Sequence, residues 1–448
     1  MRASVLALAA VMAVGALPTA APKLVFTDTT LKNGLRVIIT EDHHAPVFSL
    51  ALSYNVGSRD ERPGRTGFAH LFEHMMFKGS QNVGPGEHFT LIFNSGGNMN
   101  GTTNEDRTLY YETLPANQLD LALFLEADRM RSLEITKENL DNQRQAVQEE
   151  RRLRTDNVAY GKSAERFVEL AYTGGGYKHS VIGSMADLSA ATVEDVAAFF
   201  KTYYAPNNAV LVIAGDVKST QALAKVRQYF EAIPSQPAPP APDLAGPAQR
   251  AETRETLTDN LARLPRLDIG YHVPARGSAD DEALSVLATV LTGGRTSRTY
   301  ESLVRQKQLT TGVGAGTNGR RGPQLFMISS TAMPGKSIND LEQGIYAEIE
   351  RLQKEPIAAW ELDKARASAK RGLVAGAGSS LNLAVTLAEN AQAFNDPDRE
   401  SGAFDRIAKV TAADVQRVAK QYLVASNRTV LITQPKAAGT DAAPKGVR

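Results

Sequence analysis

The sequence contains an internal repeat that covers a helix, a loop and a strand. Residues 193–213 (VEDVAAFFKTYYAPNNAVLVI) and 412–432 (AADVQRVAKQYLVASNRTVLI) align without gaps at a spacing of 219 residues. Each copy begins with a polar helix cap and ends in an apolar strand. Chance similarity between two amphipathic units is the alternative. Duplicated domains are favoured, because a repeat this long is not a solenoid repeat and the matches recur along both copies: Asp195 with Asp414, Val196 with Val415, Lys201 with Lys420, Tyr203 with Tyr422 and Asn208 with Asn427.

A proline-rich segment separates the two copies. Residues 233–247 (IPSQPAPPAPDLAGP) contain six prolines, each of which lacks a backbone donor and fixes one dihedral angle. We therefore expect an extended linker outside any core. A chain of 448 residues can hold more than one domain. The predicted division is a signal peptide (1–21), an N-terminal domain (22–233), a linker (234–252), a homologous C-terminal domain (253–435) and a disordered tail (436–448).

Strand and helix patterns alternate within the first half. Residues 48–57 and 107–115 have the apolar and aromatic alternation of strands. Residues 67–77, 119–130 and 137–154 have helical spacing. Mixed elements of this kind predict the α+β class, with two duplicated domains that each pack helices on a mainly antiparallel sheet.

Composition excludes several classes of function. Lys and Arg number 50 and Asp and Glu number 49, so the chain has no overall basic field that would attract nucleic acid or an anionic membrane. The absence of cysteine excludes disulfides, thiolate metal ligands, cysteine nucleophiles and a lipid-bearing cysteine.

The N-terminal residues have the pattern of a secretory signal. Arg2 is followed by an apolar run at residues 3–17 and by small residues that suit cleavage after Ala20 or Ala21. An uncleaved membrane anchor is the alternative, but the run is shorter than the roughly 20 residues that span a bilayer. The pattern predicts export, most simply to a bacterial periplasm, without a stable membrane anchor.

The segment HLFEHMMFKG, at residues 70–79, has the pattern of a metal site. His70 and His74 are one helical turn apart, so both imidazoles project from one face. Glu73 lies beside that face, where it could take a proton from water at the metal. The order is the H-x-x-E-H form. A surface helix with incidental histidines is the alternative, but the flanking apolar residues would bury the helix, and buried histidines need partners.

The spacing alone leaves the third ligand open. A hydrolytic zinc usually has three protein ligands and keeps the fourth position for water. Cysteine is absent, and the other histidines do not belong to a recognisable metal-binding motif. The acidic helix at residues 142–154 (NQRQAVQEERRLR) is one candidate. Nitrogen and carboxylate ligands also accept zinc, manganese or cobalt.

Four segments resemble one family of peptidases. They are RTGFAHLFEHMMFKGS (65–80), GGNMNGTTNEDRTLYY (96–111), NQRQAVQEERR (142–152) and YYAPNNAVLVIAGDV (203–217). They resemble the pitrilysin or insulinase family of zinc peptidases, especially its bacterial branch similar to mitochondrial processing peptidase, from about residue 24 to 435. The resemblance implies one Zn²⁺ per chain on His70, His74 and Glu150, with Glu73 as general base; it does not select Glu149.

The resemblance also implies how substrate is held. In this family an edge strand lines the cleft and pairs with an extended peptide, and residues 96–103 (GGNMNGTT) resemble that strand. An ordinary hairpin strand is the alternative. Family domains close into a chamber that admits short or unfolded peptides. The residues that this resemblance assigns to substrate binding are Asn98, Met99, Asn100 and Gly101.

The second half lacks the metal residues. At the spacing of 219, Thr289 and Gly293 stand where the histidines would fall, and residues 364–378 contain no acid. Only the first half is expected to be catalytic. Family members commonly carry an arginine and a tyrosine here that hold substrate, but those positions are Val304 and Thr311, with Arg305 one residue away. We therefore expect the metal-bearing chain of a heterodimer, whose homologous partner without a metal site supplies the Arg/Tyr pair.

Two other functions compete with a zinc endopeptidase. One is a catalytically inactive structural subunit, and the other is a peptide-binding or chaperone-like module that uses the same strand without chemistry. Inactive relatives usually have eroded metal motifs. The retention of His70, Glu73, His74 and Glu150 favours the enzyme.

Overall fold

The computed structural model describes residues 24–244, 246, 248–376 and 378–436. The predicted signal peptide, and the predicted tail after residue 436, lie outside the described residues. No helix in the described part of the chain combines the length and the apolar composition that a membrane-crossing helix needs.

The described residues contain strands and helices in mixed order. The strands are β1 Thr27–Thr30, β2 Arg36–Glu41, β3 Val47–Tyr54, β4 Asn98–Thr103, β5 Thr108–Pro115, β6 Ala209–Gly215, β7 Thr253–Asp259, β8 Arg266–Val273, β9 Thr310–Thr317, β10 Gln324–Ala332 and β11 Arg428–Pro435. The first eight helices are α1 Phe68–Met75, α2 Glu87–Asn94, α3 Leu119–Ser132, α4 Lys137–Arg151, α5 Gly161–Ala171, α6 Met185–Ser189, α7 Val193–Tyr203 and α8 Ser219–Phe230. The later ones are α9 Asp281–Thr292, α10 Ile338–Lys354, α11 Ala359–Gly376, α12 Ser380–Phe394, α13 Ala403–Lys409 and α14 Ala412–Tyr422.

The strands form two sheets with the same topology. The first has the order β1-β2-β6-β3-β5-β4, and the second has the order β7-β11-β8-β10-β9. In the first sheet β2 and β6 are parallel, in the second β7 and β11 are parallel, and the other described neighbours are antiparallel. Without β1, the first sheet matches the second strand for strand. The prediction of duplicated α+β domains with mainly antiparallel sheets is confirmed.

The repeated helix, loop and strand fold alike in both halves. Thr192 caps the start of α7, and its side chain accepts a hydrogen bond from the Asp195 amide at 3.2 Å. Thr411 caps the start of α14, and its side chain accepts a hydrogen bond from the Asp414 amide at the same distance. Each aspartate carboxylate in turn accepts a hydrogen bond from the backbone amide of its threonine, which completes a capping box. Such a cap contributes about 1 kcal/mol to helix stability.

The central strands β3 and β6 are buried along almost their whole length because both sheet faces are covered. In β3, Leu50 and Leu52 pack into the main core of the first half, whereas Ala51 points to the opposite face and joins a separate cluster. Burial on both faces gives β6 a continuous apolar run, whereas β3 keeps Ser49 and Ser53 among its apolar residues. This explains why residues 48–57 are recognisable as a strand by composition.

The two halves exchange equivalent helices. The helix α5, from the first half, packs on β7 and β11 of the second sheet, where Phe167 is buried with Leu431. The helix α12, from the second half, packs on β3 and β6 of the first sheet, where Leu387 is buried with Val212. Their first residues are 219 positions apart, the spacing of the repeat. Each sheet therefore depends on the other half of the chain for the cover of one face.

The proline-rich segment lies outside both sheets. Among its described residues between 234 and 252, none belongs to a helix or strand and none is buried. Backbone contacts still attach it to the first half, since the Gly176 amide donates to the Asp243 carbonyl at 2.8 Å.

Candidate metal centre

The helix α1 presents its polar residues at the edge of the core. Phe68, Leu71, Phe72 and Met75 are buried, which follows the spacing of an inward helical face. This packing leaves His70, Glu73 and His74 half-buried on the other side. The local sequence pattern therefore fixes both the helix and the direction of its polar side chains.

The start of α1 is held by a buried carboxylate that the sequence analysis missed. Glu61 accepts hydrogen bonds from the Gly67 amide at 2.8 Å and from the Ala69 amide at 2.7 Å. Gly67 is the N-cap residue and Ala69 lies in the first turn of α1. Backbone amides at the start of a helix have no hydrogen-bond acceptor within the helix. Gly67 has φ +88°, and a Cβ there would lie 2.6 Å from the Ile182 carbonyl oxygen.

The helix α4 brings a carboxylate to the two imidazoles. Leu140, Gln143 and Val147 form its buried face, and Glu150 continues that face by one more turn. Glu149 points elsewhere: its side chain is 57% exposed and pairs with Arg152 at 2.8 Å. The predicted helix over 137–154 ends at Arg151, and residues 152–156 continue as a π-helical turn.

Three predicted metal ligands converge. The Oε2 atom of Glu150 lies 3.2 Å from His74 Nε2 and 3.6 Å from His70 Nε2. Arg154 holds the other carboxylate oxygen, Oε1, at 2.6 Å. One oxygen is thus engaged by a guanidinium, and the second faces both imidazoles.

Burial and mutual contacts set the protonation of these groups. Burial, reinforced by His74, lowers the pKa of His70 to about 4, so its imidazole is neutral near pH 7. Contact with His74 lowers the pKa of Glu150, which favours the carboxylate. A neutral imidazole and an ionised carboxylate are the forms that bind metal ions.

Glu73 is oriented by the neighbouring edge strand. The Thr103 hydroxyl donates to Glu73 Oε2 at 2.6 Å. Gly101 lies on the same side of β4, and a Cβ there would be 2.9 Å from Glu73 Cγ. Burial raises the pKa of Glu73, against the effect of the Thr103 hydroxyl. Thr103 was not predicted as a site residue, although it is two residues from Gly101 and strand alternation gives both the same face.

The predicted substrate strand is the outer strand of its sheet. The strand β4 pairs with β5 and has no other partner among the described strands. Asn98 and Asn100 are exposed, whereas Met99 and Gly101 are buried. The strand packs against α1, so its free edge lies beside the helix that carries Glu73.

A salt bridge ties this strand to the second half, and it was also missed. Arg107 donates to the Thr102 carbonyl at 2.8 Å and to Glu389 Oε1, on α12, at 2.9 Å. The exchanged helix thereby contacts the hairpin that ends at the candidate site. Sequence patterns could not show this contact, because residues 107 and 389 are distant in the chain.

The second half offers no equivalent set of ligands among its described residues. Thr289 uses its hydroxyl to bond the Ser285 carbonyl within α9, and Gly293 caps the end of that helix. Arg305 is exposed and pairs with Glu301 at 3.1 Å. No tyrosine occupies the positions predicted for the Arg/Tyr pair.

Comparisons with known proteins agree with this architecture. A profile described as "Insulinase (Peptidase family M16)" matches residues 36–178, and one described as "Peptidase M16 inactive domain" matches residues 190–369. The zinc protease PqqE of Helicobacter pylori is 30% identical over 414 residues, covering 91% of this chain and 92% of that protein. The chain belongs to the M16 peptidase family. The predicted resemblance is confirmed.

Other M16 relatives support the same placement. A protease from Helicobacter pylori has a crystal structure with a TM-score of 0.88 and 30% identity, covering 92% of this chain and 100% of that one. A probable mitochondrial-processing peptidase subunit beta of Arabidopsis thaliana is 23% identical, covering 88% of this chain and 76% of that protein. The periplasmic protease PqqL of Escherichia coli shares the fold, with a TM-score of 0.76 and 19% identity; the match covers 93% of this chain and 48% of PqqL.

The donor atoms of this M16 chain fit a divalent metal. Two imidazole nitrogens and one carboxylate oxygen, all within 4.8 Å of one another, form a His₂Glu set. This is a set that hydrolytic zinc sites use, with the fourth position left for water. Ligand atoms about 3.2–3.6 Å apart can share one ion at ordinary bond lengths of about 2.0–2.2 Å.

Proposed function

We propose that this M16 protein is a zinc-dependent endopeptidase. The observation that carries the proposal is the meeting of His70, His74 and Glu150 beside Glu73, at the free edge of a sheet. Relatives named zinc proteases support a peptidase that uses zinc. We assign one catalytic zinc to this site, with manganese and cobalt as ions that the same donors accept.

In this proposal Glu73 moves the protons. A zinc ion held by His70, His74 and Glu150 supplies Lewis-acid chemistry. Glu73 takes a proton from the attacking water and delivers it to the leaving amine nitrogen. Burial raises the pKa of Glu73, which favours proton uptake by its carboxylate. The Thr103 hydroxyl fixes one carboxylate oxygen and leaves the other for water.

We further propose that β4 binds the peptide as an additional strand. Backbone hydrogen bonds at its free edge hold many sequences, because they do not depend on side chains. Asn98, Met99, Asn100 and Gly101 would supply these contacts. A bound strand must be extended, so short or unfolded peptides are the proposed substrates, cleaved within a closed chamber.

The proposed catalytic domain comprises residues 22–233, and residues 253–435 form the non-catalytic domain. This chain spans about half of PqqL, which supports a second, homologous chain beside it. We propose a heterodimer in which that partner supplies an arginine and a tyrosine. Co-expression with a homologous chain tests this: the pair should cleave faster than the purified chain, and equal rates would reject the heterodimer.

Export to the periplasm is also a proposal. It rests on the N-terminal sequence pattern and on the fold shared with PqqL, a periplasmic protease. Cell fractionation with an antibody against the chain should place the protein in the periplasmic fraction. Recovery in the cytoplasmic fraction would contradict it.

An inactive subunit is the second candidate function. The match of residues 190–369 to an "inactive domain" profile favours it. The proposed ligands lie outside that match, within residues 36–178 that align with the insulinase profile. Activity measurements must therefore decide between the two functions.

The deciding experiment compares Glu73→Gln with Glu149→Gln. Cleavage of a quenched, unstructured peptide should fall by about 100-fold or more in Glu73→Gln, because general acid–base catalysis contributes roughly 10²–10⁴-fold. Zinc content should be unchanged. Glu149→Gln is the matched control, since this neighbouring acid faces solvent. Full activity in Glu73→Gln would remove Glu73 from its role. A zinc-loaded native protein that cleaves no peptide, either alone or co-expressed with a homologous chain, would favour the inactive subunit.

A further inference from the structure

A second cluster of potential metal ligands lies inside the first half. His88 on α2, Glu112 on β5 and Glu126 on α3 each place one donor atom within 4.8 Å of the others. The His88 Nε2 atom is 3.8 Å from Glu112 Oε2. All three residues are buried, and none belongs to the proposed catalytic centre.

Several polar atoms of this cluster have no hydrogen-bond partner among the described residues. They are His88 Nε2 and both carboxylate oxygens of Glu112. The Glu112 side chain is fully buried, and His88 is 4% exposed. Burying a carboxylate without any donor costs several kcal/mol. Native structures rarely leave such groups unsatisfied unless an ion or a water molecule is bound there.

The charges around the cluster leave one carboxylate uncompensated. Arg129 donates to both oxygens of Glu126, and its guanidinium lies over the Tyr110 ring at 4.3 Å and the Phe77 ring at 5.1 Å from the centroids. Glu126 and Arg129 therefore form a neutral pair. No cation among the described residues hydrogen-bonds Glu112, and Arg129, which acts on it at longer range, is already paired with Glu126. The pKa of His88, which is buried beside the guanidinium, is lowered mainly by burial.

We propose that His88, Glu112 and Glu126 bind a second divalent cation. One imidazole nitrogen and two carboxylate oxygens are donors of the kind that zinc and similar transition ions accept. The ion would satisfy His88 Nε2 and the Glu112 carboxylate together. Glu126 retains lone pairs for the ion while it accepts from Arg129.

The role of this ion would be structural. It would join α2, β5 and α3, which are separate elements around the same core. Glu112 is the register partner of Met99 in β4, so the ion would lie behind the proposed peptide-binding strand. The Phe77 ring, just beyond α1, is 6.1 Å from the His88 ring. The cluster thus supports both elements of the proposed active site without contacting substrate.

A proton on Glu112 is the competing explanation. Burial raises the pKa of Glu112 well above its usual range, with Glu126 as a further cause. A protonated Glu112 would leave the cluster neutral without any metal. Metal stoichiometry separates the two explanations, because only the cation adds a second ion per chain.

The test measures zinc in tag-free protein by elemental analysis. The native chain should hold two zinc ions, the His70→Ala/His74→Ala variant one, and that variant with Glu112→Gln about none. His43→Ala is the control for general loss of histidine, since His43 is 53% exposed and distant in sequence. Its zinc content should equal that of the native chain.

A His70→Ala/His74→Ala variant that folds natively but holds no zinc would overturn the proposal, even if Glu112→Gln does not fold. The same result would leave the proposed peptidase function intact, because that function uses other residues. Conversely, loss of activity in Glu73→Gln has no bearing on the second ion.

Discussion

The two halves share a scaffold but differ in chemistry. Both have the same strand order and the same capped helix before the final inner strand. In the first half, α1 carries histidines that meet Glu150, whereas in the second half Thr289 bonds its own helix. Packing requirements are therefore met in both halves, and the proposed metal chemistry depends on a few side chains of the first half.

The largest expected difference comes from equivalent substitutions in the two halves. His70→Ala should lower peptidase activity and zinc affinity by more than about 100-fold, because even outer ligand partners contribute about 10–100-fold. Thr289→Ala, at the equivalent position, should change neither. Activity assays and zinc titration measure both effects. A comparable loss of activity or zinc affinity in Thr289→Ala would contradict the proposed difference between the halves.

The exchanged helices predict that the halves unfold together. Leu387→Ala should destabilise the protein by about 2–5 kcal/mol, because it leaves a cavity between α12 and the first sheet. Phe167→Ala, in the equivalent helix α5, should cost about 3–5 kcal/mol. Urea unfolding should show one transition that shifts in both variants. Asn382→Ala is the control on α12, since this side chain is exposed.

Two separate unfolding transitions, each moved by only one of these substitutions, would contradict the dependence of each sheet on the other half. In that case the exchanged helices would be contacts between independently stable units. The 219-residue repeat would then reflect duplication of the sequence only, and the two halves would not fold cooperatively.

A buried acid, Asp60, distinguishes the loop before α1 from the equivalent loop in the second half. Burial raises the pKa of Asp60 from 3.8 to about 6, and the equivalent position is Ala279. The folded state binds the Asp60 proton more tightly than the unfolded state does. The contribution of Asp60 to the free energy of unfolding is therefore fully present below pH 3.8 and is lost as the pH rises through about 6. Two pKa units correspond to about 3 kcal/mol. Asp60→Asn should remove this contribution from the unfolding free energy measured between pH 4 and 7.

Wild-type and Asp60→Asn proteins with the same slope of stability against pH would contradict this assignment. Ala279→Gly serves as the comparison in the second half, where the slope should match the wild type. Circular dichroism at each pH shows whether both variants begin from the native fold.

The smallest predicted effect concerns the orientation of Glu73. Thr103→Val removes a hydroxyl that donates to the carboxylate, which should cost about 1.5 kcal/mol, or roughly tenfold in kcat. KM and zinc content should stay unchanged. Thr103→Ser retains the hydroxyl and should restore most of the rate. An unchanged kcat in Thr103→Val would show that the bond does not position the base.

Local patterns predicted the parts of the site that one element contains. The spacing of His70, Glu73 and His74 fixes their common face, because one helix determines it. Glu150 was different: spacing left the third ligand open, and only the family resemblance selected it over Glu149. The structure brings Glu150 to the histidines through packing of α4 on α1, which no local signal encodes.

Contacts between distant segments were not predicted. The sequence patterns indicate helices and strands, but they do not show which sheet a helix covers. The exchange of α5 and α12 therefore could not be predicted. Glu112 did leave a signal, because it occupies an inward position between Tyr110 and Leu114 of an alternating strand. A charge at such a position indicates a buried partner, although the sequence alone does not say which one.

The most direct test of the central claim is anomalous diffraction at the zinc edge from crystals of the zinc-loaded chain. We expect a peak about 2.0–2.2 Å from the Nε2 atoms of His70 and His74 and from a carboxylate oxygen of Glu150. Crystals that contain zinc but show no peak between these three side chains would contradict it.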